Sequence, residues 1–189
     1  MAQLAYLDTN ALVKLYAPET GGDQVIDLLD ATDGVVTSVI TYTETRGVFG
    51  RLYGIELFFG DVGKAPPSPS RYSIPYLLLL TPFGKIKPMT ILFFRVVLLG
   101  RGQATPEQYV TILQHFEEDW AMALKVELIE EVCRRAGDLT LQHPRLRAMD
   151  AIHLSSVLEA RKHHEVKFLT FDVDLRAAAT ATLGKKDVF

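Results

Sequence analysis

The chain opens with a short apolar run, from Leu4 to Leu7, that ends abruptly at Asp8. An apolar run of this length predicts a buried strand. The apolar positions between Ala11 and Tyr16 then follow helical spacing, and Pro18 with the Gly-Gly pair behind it would end that helix. The pattern therefore starts with a strand, an acidic residue and a helix.

The next stretch repeats the alternation. Apolar residues between Val25 and Leu29 recur at helical spacing, and the β-branched segment from Val35 to Ile40 predicts a second strand. A helix-like segment that contains Glu44 follows this strand.

Two more helices are predicted beyond residue 104. The first starts with Thr105 as its cap, Pro106 in its first turn and Gln108 placed to reach back toward the cap. Its apolar face consists of Tyr109, Ile112, Leu113, Phe116 and Trp120. The apolar positions that predict the second helix are Val126, Ile129, Val132 and Ala136.

The C-terminal part predicts a helix, a strand and a final helix. The first of these helices begins near Asp150, the strand runs from Val166 to Phe171, and Asp172 precedes an alanine-rich helix. Strands that alternate with helices favour a parallel sheet covered by helices. The predicted fold class is therefore α/β with a central parallel sheet.

The segment from about Ile55 to Gly100 interrupts this alternation. It holds six of the nine prolines, and its five basic and two acidic residues give a net charge of +3, which leaves −6 for the rest of the chain. Without it, residues 51–54 would join residues 101–104 as a helix-to-helix connection. We interpret residues 55–100 as an insertion into one domain that spans residues 1–189. An irregular excursion without a catalytic role is the favoured interpretation, and its charge would also suit a hairpin that contacts RNA or a partner.

Composition adds further limits. The 189 residues suffice for one well-buried domain, and a net charge of −3 gives no overall attraction to nucleic acid, so RNA binding would need a local patch or a bound metal ion. The single cysteine, Cys133, excludes an intramolecular disulfide and is predicted to be a small buried residue. Neither a signal-peptide pattern nor an apolar run long enough for a bilayer is found, so a cytoplasmic protein without a membrane partner is expected.

Four acidic residues are predicted to meet at one edge of the sheet. Asp8 and Asp172 follow strands, and ligand sites in parallel α/β sheets lie beyond the carboxyl ends of the strands. Glu44 and Asp150 fall near helix starts, which point to the same edge. A single acid at a helix start is more often a cap than a ligand. Crowded carboxylates repel one another, however, and a magnesium ion would offset that repulsion and activate a water for phosphodiester hydrolysis.

Four segments together carry a family resemblance: YLDTNALVKLY, TYTETRGVF, HPRLRAMDAIHL and FLTFDVDLRAAA. They are similar to the PIN-domain ribonucleases, and most similar to the VapC-type toxins of toxin–antitoxin pairs. The resemblance covers both flanks of the insertion. It implies a PIN-like three-layer α/β/α fold and an endoribonuclease that needs Mg²⁺ or Mn²⁺. It also implies an RNA substrate, a cognate antitoxin protein as partner, and frequent homodimers.

The resemblance also implies roles for individual residues. Matched by position, the family's catalytic and metal-binding quartet falls on Asp8, Glu44, Asp150 and Asp172. The supporting roles that we predict are a turn beneath Asp8 shaped by Thr9 and Asn10, a hydrogen bond to a ligand carboxylate from Thr170 or Ser38, an outer-sphere or capping role for Asp174, and phosphate contacts from Arg46 and Arg147.

Two other enzyme classes fit the sequence less well than a nuclease does. A dehalogenase-like phosphatase would have a second aspartate two residues after Asp8, where this chain has Asn10, and a phospho-accepting receiver domain would have paired acids before its aspartate. A catalytically impaired PIN fold that binds RNA or antitoxin stays open, because the insertion follows the helix with Glu44. His153 lies three residues after Asp150 and is predicted to pack or form hydrogen bonds rather than act as a general base.

Overall fold

The structure is a computed structural model that describes residues 1–17, 19–52 and 106–189. A central sheet of parallel strands runs through these residues, in the order β3-β2-β1-β4. The strands are β1 Gln3–Leu7, β2 Gly34–Ser38, β3 Leu124–Val126 and β4 Glu165–Leu169. The prediction of an α/β fold with a central parallel sheet is confirmed.

Helices cover both faces of this sheet. Numbered over the described residues, they are α1 Thr9–Val13, α2 Gly22–Asp30, α3 Ile40–Leu52, α4 Pro106–Met122, α5 Glu130–Gln142, α6 Ala148–Ala160 and α7 Val173–Leu183, followed by a 3₁₀ turn at Lys185–Asp187. Among the described residues, no helix combines the length and the apolar character that crossing a membrane requires.

Successive residues of a strand point to opposite faces of the sheet, and here each face has its own core. Leu4 and Tyr6 of β1 pack into a core with α5, α6 and α7. Ala5 and Leu7 of the same strand pack into a second core with α1, α2, α3 and α4. The result is a three-layer α/β/α arrangement, in which the predicted apolar face of α4 lies in the second core.

The order of the strands reverses beside β1. Tyr6 of β1 lies opposite Val36 of β2 on one side and opposite Phe168 of β4 on the other. The chain runs from β1 to β2 and on to β3, and then returns to the free side of β1 as β4. Ligand sites of open α/β sheets form at such a reversal, outside the carboxyl ends of the strands.

The predicted helix at Val126 is wrong, because Val126 ends strand β3. A strand of three residues is too short for its alternation to stand out in the sequence. Ile129, which was assigned to the apolar face of the same helix, precedes α5 and is 48% exposed.

The prediction that Cys133 is buried is also wrong, since its side chain is exposed. Helix α5 buries Val132, Ala136 and Leu139, which follow one another at helical spacing on a single face. Cys133 comes one residue after Val132 and is therefore turned away from that face.

Some predictions fall on other parts of the chain. The breaker Pro18, the cap Thr105 and the interpretation of residues 55–100 as an insertion all lie outside the described residues. Helix α3 ends at Leu52 before this part of the chain, and α4 begins at Pro106 after it.

Candidate active site

The four predicted acids line one cavity of about 250 Å³. Each comes from a different part of the fold. Asp8 follows β1, Glu44 lies in α3, Asp150 is in the first turn of α6, and Asp172 stands directly before α7. The structure thus brings together, at the reversal of strand order, acids that are far apart in sequence.

Asp8 is the most enclosed of the four, with 3% of its surface exposed. It caps α1, because its Oδ1 accepts the Ala11 N–H over 2.7 Å, and its Oδ2 accepts the Thr170 hydroxyl over 2.5 Å. Burial raises the pKa of Asp8, and the negative charge of Asp172 raises it further. The positive charge of His153 and the two hydrogen bonds oppose this rise but do not cancel it.

Asp172 caps α7 in the same way. Its Oδ1 accepts the Leu175 N–H over 2.8 Å, and its own N–H donates to the Thr170 hydroxyl oxygen over 3.2 Å. No described residue donates a hydrogen bond to Asp172 Oδ2. Asp8 and Asp172 are therefore helix caps and cavity-lining acids at once, so the two roles that the sequence left as alternatives are both filled.

Asp150 is half-buried, and burial raises its pKa. The charge of Asp172 adds to this effect, whereas the positive charges of His153 and Arg147 reduce it. Asp172 thus disfavours ionisation of both Asp8 and Asp150, as expected for like charges that share a small volume. The cavity is an environment where a cation would be stabilised.

Glu44 has the opposite shift. Burial alone would raise its pKa, but hydrogen bonds from His153 and Thr9, together with the charge of His153, outweigh burial and lower the pKa. His153 Nε2 lies 3.0 Å from Glu44 Oε2, and the Thr9 hydroxyl donates to the same oxygen. Glu44 Oε1 has no hydrogen-bond partner among the described residues.

The predicted supporting residues divide into those at the cavity and those elsewhere. Thr9 and Asn10 line the cavity, but Thr9 contacts Glu44 directly and begins α1 instead of shaping a separate turn. Thr170 forms its expected hydrogen bond to Asp8. Ser38 does not, since its buried Oγ has no partner among the described residues.

The predicted charged helpers lie further out. Asp174 is exposed, does not line the cavity, and stands 4.0 Å from Arg145. Arg46 forms an ion pair of 2.8 Å with Glu117, which occupies the guanidinium that was expected to contact phosphate. Arg147 is exposed and immediately precedes α6, where its positive charge opposes the rise in the pKa of Asp150.

One acid at the cavity was not predicted from the sequence. Glu19 lines the cavity and pairs with Lys14 over 3.0 Å, while the Lys14 ammonium also lies 4.7 Å from the centre of the Phe171 ring. Glu19 stands in a short connection between α1 and α2, where nothing in the apolar pattern distinguishes it from a solvated acid.

The side chains of the cavity are possible ligands for a metal ion. In the described part of the chain, no three His, Cys, Asp or Glu side chains stand close enough to hold a metal between them. Magnesium, however, is commonly held by one or two carboxylates and completes its shell with water. The acids of the cavity offer carboxylate oxygens, and two of these, Glu44 Oε1 and Asp172 Oδ2, accept no hydrogen bond from the described residues. These residues fit a hard divalent cation.

Comparison of the chain with protein-family models and with curated proteins gives no match.

Proposed function

We propose that this protein is a divalent-metal-dependent endoribonuclease of the PIN type that acts as the toxin of a type II toxin–antitoxin pair. The observation that supports this most is the meeting of Asp8, Glu44, Asp150 and Asp172 in one cavity at the reversal of strand order. The family resemblance of the four segments around these acids implies RNA as the substrate and an antitoxin as the partner.

The acidic residues of the cavity would have different roles toward a bound ion. Mg²⁺ or Mn²⁺, when bound, lowers the pKa of a water and offsets charge that develops on the phosphate. Glu44 and Asp172 would offer their unpaired oxygens to the ion. Asp8 accepts hydrogen bonds from the Thr170 hydroxyl and the Ala11 amide, so its carboxylate would keep one orientation when the ion binds in the cavity.

Contact with the RNA backbone requires cations near this acidic cavity. Arg147 is exposed beside Asp150, whereas Arg46 is engaged by Glu117. Arg147 is therefore the better candidate of the two for a phosphate contact, because a guanidinium binds phosphate through paired N–H groups.

A protein that binds RNA or an antitoxin without cleavage is the second candidate. It is favoured by one observation: the described residues contain no preformed group of three metal-binding side chains. Under this alternative the cavity would keep its shape and charge but bind no catalytic ion.

The test is cleavage of a mixed RNA pool by the purified protein with Mg²⁺, with EDTA, and in the variants Asp8→Asn and Asp150→Asn. Asp138→Asn, an exposed acid of α5, is the matched control. We expect cleavage that EDTA abolishes, a loss of about 100-fold or more in the two site variants, and no change in the control. Cleavage that survives in both site variants would refute the proposal, and RNA binding without any cleavage would favour the second candidate.

A further inference from the structure

A chain of hydrogen bonds runs from the candidate site into the core. Glu44 Oε2 and His153 Nε2 are 3.0 Å apart, and His153 Nδ1 is 3.0 Å from the hydroxyl of Tyr6. His153 is 3% exposed and Tyr6 is fully buried. A carboxylate at the cavity is thus connected to a tyrosine of the central strand β1 through one imidazole.

The carboxylate of Glu44 fixes the direction of its bond to the imidazole. Carboxylate oxygens accept hydrogen bonds, so the N–H at His153 Nε2 donates to Glu44 Oε2 over 3.0 Å. The second ring nitrogen, Nδ1, forms the hydrogen bond with the hydroxyl of Tyr6, also over 3.0 Å. Both nitrogens of the buried imidazole are therefore engaged.

This arrangement determines which oxygen of Glu44 is free. Thr9 and His153 both donate to Oε2, and no described residue donates to Oε1. Tyr6, whose hydroxyl contacts the imidazole, packs edge-on against Phe168 with ring centres 5.4 Å apart. The imidazole is therefore bonded to a side chain that is itself fixed in the core. The carboxylate is consequently fixed by a rigid support instead of by a mobile surface side chain.

We propose that His153, anchored by Tyr6, is a positioning residue that holds the Glu44 carboxylate with Oε1 presented to the divalent cation. This inference rests on the proposed function, since it assigns a role toward that ion. Groups that hydrogen-bond a metal ligand orient it and tune its affinity for the metal.

Two alternatives for His153 fit the contacts less well. General-base catalysis would need a free nitrogen lone pair at the cavity, but Nε2 carries the proton that it donates to Glu44. Simple packing would be met by an apolar residue such as the neighbouring Leu154 or Val157, both fully buried in the same helix. A buried imidazole is costly unless both nitrogens are bonded, and here both are.

The experiment measures the affinity of the full-length protein for Mn²⁺, which gives a readout that is independent of activity. The site variants are His153→Ala, His153→Gln and Tyr6→Phe. The matched controls are Tyr16→Phe, which removes a buried hydroxyl bonded to Asp119 away from the cavity, and His163→Ala, which removes an exposed imidazole.

We expect Mn²⁺ binding to weaken about 10- to 100-fold in His153→Ala, and by a smaller factor in Tyr6→Phe, which keeps the ring but frees the imidazole. His153→Gln retains an N–H donor and is expected to recover part of the affinity. Both controls should bind Mn²⁺ as the wild type does. Nitrogen-15 NMR of the wild type should find a proton on Nε2 of His153.

The outcomes separate this inference from the proposed function. Unchanged Mn²⁺ affinity in His153→Ala and Tyr6→Phe, or a His153 Nε2 that carries no proton, would overturn the positioning role while the metal site stands. A wild-type protein that binds no Mn²⁺ would overturn both. If His153→Ala fails to fold, the comparison of Tyr6→Phe with Tyr16→Phe still decides, because both variants keep an aromatic ring in the core.

Discussion

Thr170 and Asp8 are 162 residues apart in sequence, yet the Thr170 hydroxyl donates a 2.5 Å hydrogen bond to Oδ2 of Asp8. The same hydroxyl oxygen accepts the N–H of Asp172. One small side chain at the end of β4 therefore supports two of the four acids, and it does so inside the fold, where Thr170 has no exposed surface.

Replacing this hydroxyl should destabilise the protein. Thr170→Val keeps the shape of the side chain but leaves a buried carboxylate oxygen and a backbone N–H without their partner. We expect a loss of about 1–3 kcal/mol in the free energy of unfolding, measured by urea denaturation. Thr182→Val, which removes a hydroxyl bonded only within its own helix, is the control. Equal effects of the two substitutions would contradict the expectation.

Asp8 should contribute a loss of stability to the metal-free protein as pH rises through the mildly acidic range. Burial raises the pKa of Asp8, so the folded state holds this proton more tightly than the unfolded state does. The resulting stability is fully present below the ordinary pKa of an aspartate and is lost as pH rises through the higher folded pKa. In Asp8→Asn this loss should be absent, and urea denaturation in EDTA at several pH values measures it. Identical pH profiles of the wild type and the variant would contradict the prediction.

Asp187 should have the opposite effect. Burial would raise its pKa, but the ammonium of Lys167 at 2.9 Å and the guanidinium of Arg161 at 3.1 Å outweigh burial and lower it. Its contribution is present above the ordinary pKa and is lost as pH falls through the lower folded pKa. Asp187→Asn should therefore reduce the melting temperature at neutral pH and have little effect in strong acid. A reduction that is the same at both pH values would count against this ion-pair account.

Gly21 is a position where a side chain cannot be accommodated. Its φ is +102°, and a Cβ there would lie 2.5 Å from Cε1 of Phe171, next to Asp172. We expect Gly21→Ala to lower the free energy of unfolding by about 1–3 kcal/mol and to weaken Mn²⁺ binding by displacing Phe171. Gly137→Ala is the control, because it lies in a helix with no atom near the added Cβ, and it should stabilise by up to about 1 kcal/mol. A Gly21→Ala variant as stable as Gly137→Ala would refute the strain.

The sequence was informative where a strand stops. Asp8 interrupts an apolar run, and Asp172 follows another, so their position at the sheet edge could be predicted without coordinates. The predicted end of β4 at Phe171 missed the observed end at Leu169, but such a shift leaves Asp172 at the same edge of the sheet.

Contacts between distant segments could not be predicted. The pairing of His153 with Tyr6 depends on how α6 packs on β1, and the pairing of Arg46 with Glu117 depends on how α3 meets α4. Neither leaves a mark in local spacing. For the same reason Arg46 was predicted to contact phosphate, and Glu19 was not predicted, because its place at the cavity depends only on where its loop lies.

The central position of β1 in the sheet affects the order in which the sheet can assemble during translation. One neighbour of β1, strand β2, is translated early, but the other, β4, is translated only after α6. A nascent chain that ends before β4 lacks the strand that pairs with this edge of β1, and it also lacks Asp172. If the protein is the ribonuclease proposed above, the ribosome that synthesises it meets no assembled catalytic centre until β4 has emerged and docked beside β1.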